Sequence, residues 1–400
     1  MRKYKIWERV PSQKYQTSLM RPLLILAMAI LAAACSSTSA DEEINKEFNE
    51  IMQKHNAVGL CVAAVKDGKI VYNNTFGYKD LEQQIPIADD DVLRIASISK
   101  SFTATAILQL VEQGKLNLDT DISDLMGFEI RNPNFPLIPI TVRMLLSHTS
   151  SMSDSNGYFS FDNMNPSVSP TWQKAWNSYE PGSKYQYCNL GYNTLGAIIE
   201  IISGERFDDY IENHIFKPLG VYASHNVMDL DSIKFIKIYK YNLPDSSFVC
   251  STSAYQAPAE ELANYRMGYS TTAFSPTGGV KISAKDLARV MMMHMNYGEL
   301  DGIRILDSTS CALMRSNITT TNYSGETYGM ALLNSNDYLQ GCRVTGHDGL
   351  ALGAYTSMFW LPEQNFGVVV MTNGCTGKTD KTFANIMCES AEVLKKHFCK

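Results

Sequence analysis

Three short residue patterns in this 400-residue chain could do chemistry. The first is Ser97-Ile98-Ser99-Lys100. Residues three apart on a helix share a face, so the Lys100 amine can reach the Ser97 hydroxyl. A serine hydroxyl is a poor nucleophile until a base takes its proton. A buried lysine gives up its own proton more readily, because burial disfavours the charged form. The free amides and positive dipole end at a helix start also hold an anion formed there. Chance supplies about two SxxK matches at this composition. The chain has a single one, at the head of an apolar helical pattern running from Ser97 to Gln113.

The second pattern is Tyr187-Cys188-Asn189. A tyrosine beside a lysine can act as a general base if the cation lowers its pKa, and an asparagine amide can hold a substrate carbonyl and touch the lysine. Tyr72-Asn73-Asn74 has the same spacing but falls in an N-terminal strand pair. The third is His347-Asp348-Gly349, placed at the end of an expected strand, where the glycine permits close approach of a ligand backbone. Cys188 reads as a small buried filler and not as a second nucleophile, since no histidine stands near it in sequence to activate it.

The elements that must position these residues follow from periodicity. Glu43 to Lys54 is patterned as a helix. Gly59 to Val65 and Ile70 to Tyr78 read as strands joined by an Asp67-Gly68 hairpin turn. From Leu116 to Gly278 the patterns are mostly helical, clearest at Thr141 to Ser147 and Gly191 to Ile202, between loops rich in Ser, Asn, Pro and Gly. Ser283 caps an amphipathic helix to Met295. Strands return at Cys342 to His347, Ala354 to Leu361 and Gly367 to Thr372, with a turn at Pro362 to Asn365, and a last helix covers about Lys381 to His397. Strands from both chain ends with a helical region between them give an α+β fold, with a site expected in the cleft between the parts.

Bulk composition narrows the function. The net charge of −6 and 45% apolar content, with no basic stripe, speak against nucleic-acid binding. A basic stretch from Arg2 to Arg21 precedes an apolar run, Pro22 to Ala34, which suits a signal peptide and is too short for a spanning helix. Leu31-Ala32-Ala33-Ala34-Cys35 resembles a bacterial lipobox, which makes Cys35 the candidate lipidation site and Ser36 to Glu43 a polar tether. Either Met1 or Met20 can be the start. Eight further cysteines, in an oxidising compartment if the chain is exported, show no CxxC pair and no zinc spacing.

The segment from Arg94 to Ala104 resembles the active-site helix of the serine β-lactamase and penicillin-binding protein superfamily. The class C β-lactamase-related branch, with D,D-carboxypeptidase, D-aminopeptidase and esterase relatives, is the most similar. Leu145-Leu146-Ser147-His148-Thr149-Ser150 is similar to that family's LLxHTSG, with Ser151 where glycine is usual. Pro181-Gly182, Tyr187 to Tyr192, Leu195-Gly196, Gly278-Gly279-Val280 and Ser283 to Ala288 match further blocks, so the resemblance spans about Asn49 to Thr372.

The resemblance implies an antiparallel sheet flanked by helices, with a mainly helical region inserted at about 116–278. It makes residues 41–400 one catalytic domain behind a signal, lipobox and tether in 1–40. It implies that Ser97 forms an acyl-enzyme, that Lys100 and Tyr187 share proton transfer, and that Asn189 positions the substrate amide. His347 and Gly349 line the facing wall, and the amides of Ser97 and Leu350 form the oxyanion hole. It implies no metal or organic cofactor. His347 stands where most β-lactamases carry the lysine of a KTG triad, and near neutral pH it is expected to be partly charged. Strand alternation sends Asp348 to the opposite face from His347, without fixing which faces the ligand.

The expected function is an exported serine hydrolase, lipid-anchored at the periplasmic or cell surface and monomeric, that cleaves amide or ester bonds in D-amino-acid or peptidoglycan-related peptides. A true β-lactamase, a small-ester esterase and a non-catalytic penicillin-binding or sensing protein are the alternatives, so the partner is a small peptide, β-lactam or ester.

Overall fold

The computed structural model describes residues 42–380 and 382–399. The signal, lipobox and tether expected in residues 1–40, Cys35 included, lie outside the described residues. Residues 42–47 are helical and belong to the first of two units, Met1–Glu47; the second unit, Phe48–Lys400, holds the rest. Among the described residues no helix is long and apolar enough to cross a membrane.

Strand β1 (Gly59–Lys66) and strand β2 (Lys69–Asp80) form a hairpin. Its Asp67-Gly68 turn has φ of 49° and 72°, as a two-residue hairpin loop of matching twist requires. β1 is buried along nearly its whole length. Such a continuous apolar run marks a strand covered on both faces. One covering layer contains helix α1 (Lys100–Glu112), helix α2 (Asn189–Ser203) and helix α3 (Ala284–Met295).

The C-terminal half supplies β3 (Leu333–Leu339), β4 (Cys342–Ala351), β5 (Ala354–Leu361) and β6 (Phe366–Thr372), then helix α4 (Asn385–Phe398). α4 covers the other face: Tyr338 of β3 reaches the Met387 carbonyl, and Phe359 of β5 packs on Phe383. Together these strands make an antiparallel sheet of nine, ordered Thr319–Thr320, Thr327–Tyr328, β3, β4, β5, β6, β1, β2, Ile85–Pro86. The register of β1 against β6 runs from Leu60 opposite Thr372 to Lys66 opposite Phe366. The sheet is thus closed by the two ends of the catalytic unit, as the α+β reading expects.

Four local expectations differ. The helix expected from Ser97 splits into a tight 3-10 turn, Ala96–Ser99, and α1 proper from Lys100. β4 continues to Ala351, so His347-Asp348-Gly349 lies inside a strand and not at its end. β3 was hidden by its polar sequence, Leu-Asn-Ser-Asn-Asp-Tyr-Leu, which lacks the β-branched run that marks a strand. The middle region is less helical than its pattern: apart from α2 it consists mainly of short turns of helix, plus a hairpin of Tyr239–Asn242 with Ser247–Cys250. Ser, Asn and Asp side chains cap the starts of these turns at Asp121, Ser153, Ser160, Asn226 and Asp231, and each turn runs only three to five residues.

Candidate active site

Ser97 sits on the 3-10 turn with Ala96 before it at a φ of 48°, a left-handed conformation that a non-glycine residue holds only when its surroundings impose it. Those surroundings are visible. Ile95 N–H bonds the Val280 carbonyl at 3.0 Å, the Ser99 hydroxyl accepts from Val280 N–H at 3.0 Å, and Thr103 donates to the Pro276 carbonyl at 2.8 Å. The 276–280 segment therefore clamps the turn. With three residues per turn, the 3-10 geometry stacks Ser97 and Lys100 directly.

Lys100 is fully buried. Its amine donates to Ser97 Oγ at 3.2 Å, Asn189 Oδ1 at 2.9 Å and the Thr277 carbonyl at 2.8 Å. Burial pulls its pKa from 10.5 to about 7, against the upward pull of the Asp154 and Asp348 charges. Near neutral pH a large fraction of Lys100 is thus an uncharged amine, in hydrogen-bond reach of the nucleophile.

Tyr187 lies with its ring 4.7 Å from the Lys100 amine and 4.3 Å from the His148 ring. Burial pushes its pKa well above 10, and the nearby Ser97 hydroxyl offsets only part of this. No aligned hydrogen bond joins the two hydroxyls, and the Tyr187 oxygen has no other partner. The expected lowering of its pKa by a cation is therefore not met, because desolvation of the buried phenol itself dominates. Tyr187 is a neutral phenol that can pass a proton on but does not rest as a phenolate.

Asn189 opens α2, and its amide is committed on both ends. Oδ1 accepts from Lys100 and from Thr277 Oγ1 at 2.6 Å, while Nδ2 donates to Asp154 Oδ2 at 2.9 Å. Asp154 also accepts from Asn189 N–H and Leu190 N–H, each at 3.0 Å, and so caps α2 from 35 residues away. An anion there also complements the helix dipole. Cys188 is buried and donates its thiol to Asp154 Oδ1 at 3.3 Å, and burial raises its pKa well above 9. His148 comes close through space, but its Nδ1 accepts from the Cys188 backbone N–H at 3.2 Å, and burial drops its own pKa well below 6.5. Nothing there activates the thiol.

Strand β4 forms the facing wall. His347 is buried, with Nδ1 2.5 Å from the Asp348 carbonyl and Nε2 3.2 Å from the Tyr328 hydroxyl. The carbonyl can only accept, which assigns the proton to Nδ1 and makes the Tyr328 hydroxyl the donor to Nε2. Burial first, and Lys100 second, lower the His347 pKa to about 3. The partial charge expected from an exposed histidine is absent, and the Asp348 carboxylate 3.9 Å away makes no ion pair with a neutral ring. Asp348 and Leu350 share the more open face of the strand, at 32% and 60% exposure. Desolvation still lifts the Asp348 pKa to about 6. Gly349 is pressed against the nucleophile turn: a Cβ there would lie 2.2 Å from the Ile95 carbonyl oxygen and 3.1 Å from the Ser97 nitrogen. This contact brings the backbone of Gly349 beside the Ser97 amide, with Leu350 the next residue along the strand.

The structure therefore gathers Ser97, Lys100, Tyr187, Asn189, His347 and Gly349 around one centre, with the expected oxyanion residue Leu350 next to Gly349 on β4. Asp154, Thr277 and Tyr328 join them without having been singled out in the sequence. The only sequence signal for Asp154 is its position six residues beyond His148; Thr277 directly precedes the glycine pair 278–279.

Fold and site together define a serine hydrolase built on the β-lactamase and transpeptidase fold. The Beta-lactamase family profile matches residues 44–386, and the chain belongs to that family. Penicillin-binding protein 4 of Amycolatopsis lactamdurans is 27% identical over 342 residues, covering 82% of this chain and 84% of that protein. Among solved structures, the octameric penicillin-binding protein homologue from Pyrococcus abyssi superposes with a TM-score of 0.70 at 26% identity, over 88% of this chain and 76% of that one. The D-amino acid amidase from Ochrobactrum anthropi SV3, complexed with L-phenylalanine amide, gives 0.69 at 21% identity, over 89% and 98%.

Proposed function

We propose that this protein hydrolyses amide or ester bonds of D-amino-acid peptides, peptidoglycan-related peptides among them, through an acyl-enzyme on Ser97. The observation that carries the reading is the buried Lys100 amine 3.2 Å from Ser97 Oγ, with a pKa near 7. Lys100 takes the Ser97 proton as the oxygen attacks the carbonyl carbon. The oxyanion forms against the amides of Ser97 and Leu350. The proton passes by way of Tyr187 to the departing nitrogen or oxygen, the bond to the leaving group breaks, and water then cleaves the ester to Ser97. Penicillin-binding and D-amino acid amidase relatives support this substrate class. The neutral His347 and the acidic Asp348 disfavour an anion gripped by strand β4, which sets this site apart from a KTG-type β-lactamase.

The test is intact-mass analysis after incubation with β-lactams, D-Ala-D-Ala peptides and esters, with Ser97→Ala as control. Peptide or ester adducts that form and clear on the native protein support the reading. An adduct on the alanine variant removes Ser97 from the mechanism. β-Lactam adducts that clear quickly favour a β-lactamase, and adducts that persist favour a penicillin-binding peptidase. Export and lipidation at Cys35 are part of the same proposal. Incorporation of labelled fatty acid that is lost in Cys35→Ala checks them.

A further inference from the structure

A cavity of about 680 Å³ opens beside the far end of strand β4. Leu350, Ala351 and Leu352 form one wall, Phe159 and Phe274 another, and Arg94 and Lys281 line its interior. Arg94 and Lys281 are direct cross-strand partners in a small antiparallel ladder, so both side chains leave the same face. Like charges placed opposite each other repel, and a buried cation needs a partner. Lys281 is 5% exposed, yet its amine has one hydrogen bond, to the His225 carbonyl at 2.8 Å. Arg94 spends Nε on the Gly278 carbonyl. Neither has a carboxylate partner among the described residues. Asp229 is bound by Ser224 and Asn226, and the exposed Glu261 at the rim pairs with neither cation.

Two facing basic side chains without a carboxylate partner, set among apolar walls, make an anion site with room for an organic body. We propose that this cavity binds the carboxylate of the acyl donor, so that the enzyme selects substrates carrying a free acid group. The inference rests on the hydrolase reading above for the identity of the ligand, but its geometry does not involve Ser97. It also accounts for a strand β4 that offers no cation of its own: the charge that would hold a carboxylate sits three residues before the nucleophile, at Arg94, and on the neighbouring ladder, at Lys281. Burial next to Arg94 draws the Lys281 pKa down to about 7, so an arriving carboxylate pulls a proton onto the amine.

The experiment measures binding without turnover, so that a failed hydrolysis assay does not decide it. Acetyl-D-alanyl-D-alanine and its C-terminal amide are titrated calorimetrically into Ser97→Ala at pH 8. The acid binds about tenfold or more tightly than the amide, the scale of one charge-assisted hydrogen bond, and its binding takes up a proton, read from buffers of different ionisation enthalpy. Adding Lys281→Met removes both the preference and the proton uptake while amide binding stays within about twofold; adding Lys281→Arg restores the preference, which separates lost charge from lost folding. Equal binding of acid and amide overturns the proposal, as do undetectable binding of the acid and a preference that survives Lys281→Met. Acetate or phosphate binding as tightly as the peptide acid assigns the site to a free anion and overturns the substrate role.

Discussion

Asp154 holds Asn189 by three hydrogen bonds at the head of α2: two to Asn189 itself, from its backbone and its side-chain amide, and one to the next backbone N–H. The carboxylate can only accept, so it fixes which end of the Asn189 amide faces Lys100. An asparagine at 154 would set NH2 against NH2 or leave a buried donor unpaired, a loss of about 1–3 kcal/mol. Asp154→Asn should lower kcat/KM roughly 5- to 150-fold on that basis. Because the Asp154 charge raises the Lys100 pKa, the variant should also shift the rising limb of the pH–rate profile to lower pH. A drop in rate with the limb unmoved would reduce Asp154 to a structural cap.

Lys100 works as a base only when unprotonated. Burial has lowered its pKa, so acylation should rise with pH through a midpoint near 7 and not near the 10.5 of an exposed lysine. Asp348 pulls the midpoint upward while it is ionised, above its own pKa of about 6. Asp348→Asn should therefore move the midpoint toward acid. Pre-steady-state acylation rates from pH 5 to 9 check both signs.

His347 should stay neutral over the whole working range. Its pKa of about 3 leaves the ring uncharged at every pH from 5 to 9, with the proton on Nδ1. Ring nitrogen shifts by NMR should be flat across that interval and show the Nδ1–H tautomer. Tyr328→Phe removes the donor to Nε2 and should perturb those shifts while the catalytic limb from Lys100 stays in place.

The three motifs, the hairpin and the closure of the sheet by both chain ends were legible because each rests on local chemistry or on strong periodicity. Ser283, which caps α3 through the Asp286 N–H at 3.1 Å, is of the same kind. What was not legible arises from burial and from distant contacts. Nothing near His347 in sequence shows that Tyr328 and the enclosing strands will desolvate it. Asp154 acts 35 residues from Asn189, and Thr277 reaches Lys100 across 177 residues, held to α2 by hydrogen bonds to Asn189 and Asn193. Charge state follows from packing, and packing is not written in a motif.

Gly349 tests how closely the facing strand must approach. The first atoms a Cβ would meet are the Ile95 carbonyl oxygen at 2.2 Å and Thr356 Oγ1 at 2.5 Å. The first is backbone and cannot rotate aside. Thr356 is itself tied to that carbonyl at 2.9 Å, so it cannot yield without breaking the bond. Gly349→Ala must then push β4 off the nucleophile turn, separating the Leu350 amide from the Ser97 amide. Overpacking of this kind costs about 1–3 kcal/mol of stability, and loss of one oxyanion donor costs roughly a hundredfold or more in rate. Ser357→Ala on the neighbouring strand provides a control, since its hydroxyl bonds Tyr338 on the far side of the sheet. A thermal melt and an acylation rate measured on both variants give the answer. Gly349→Ala should lose far more rate than its loss of stability explains, whereas Ser357→Ala should lose stability alone. If the two variants lose rate equally, the approach of β4 to Ser97 is not what sets the oxyanion geometry.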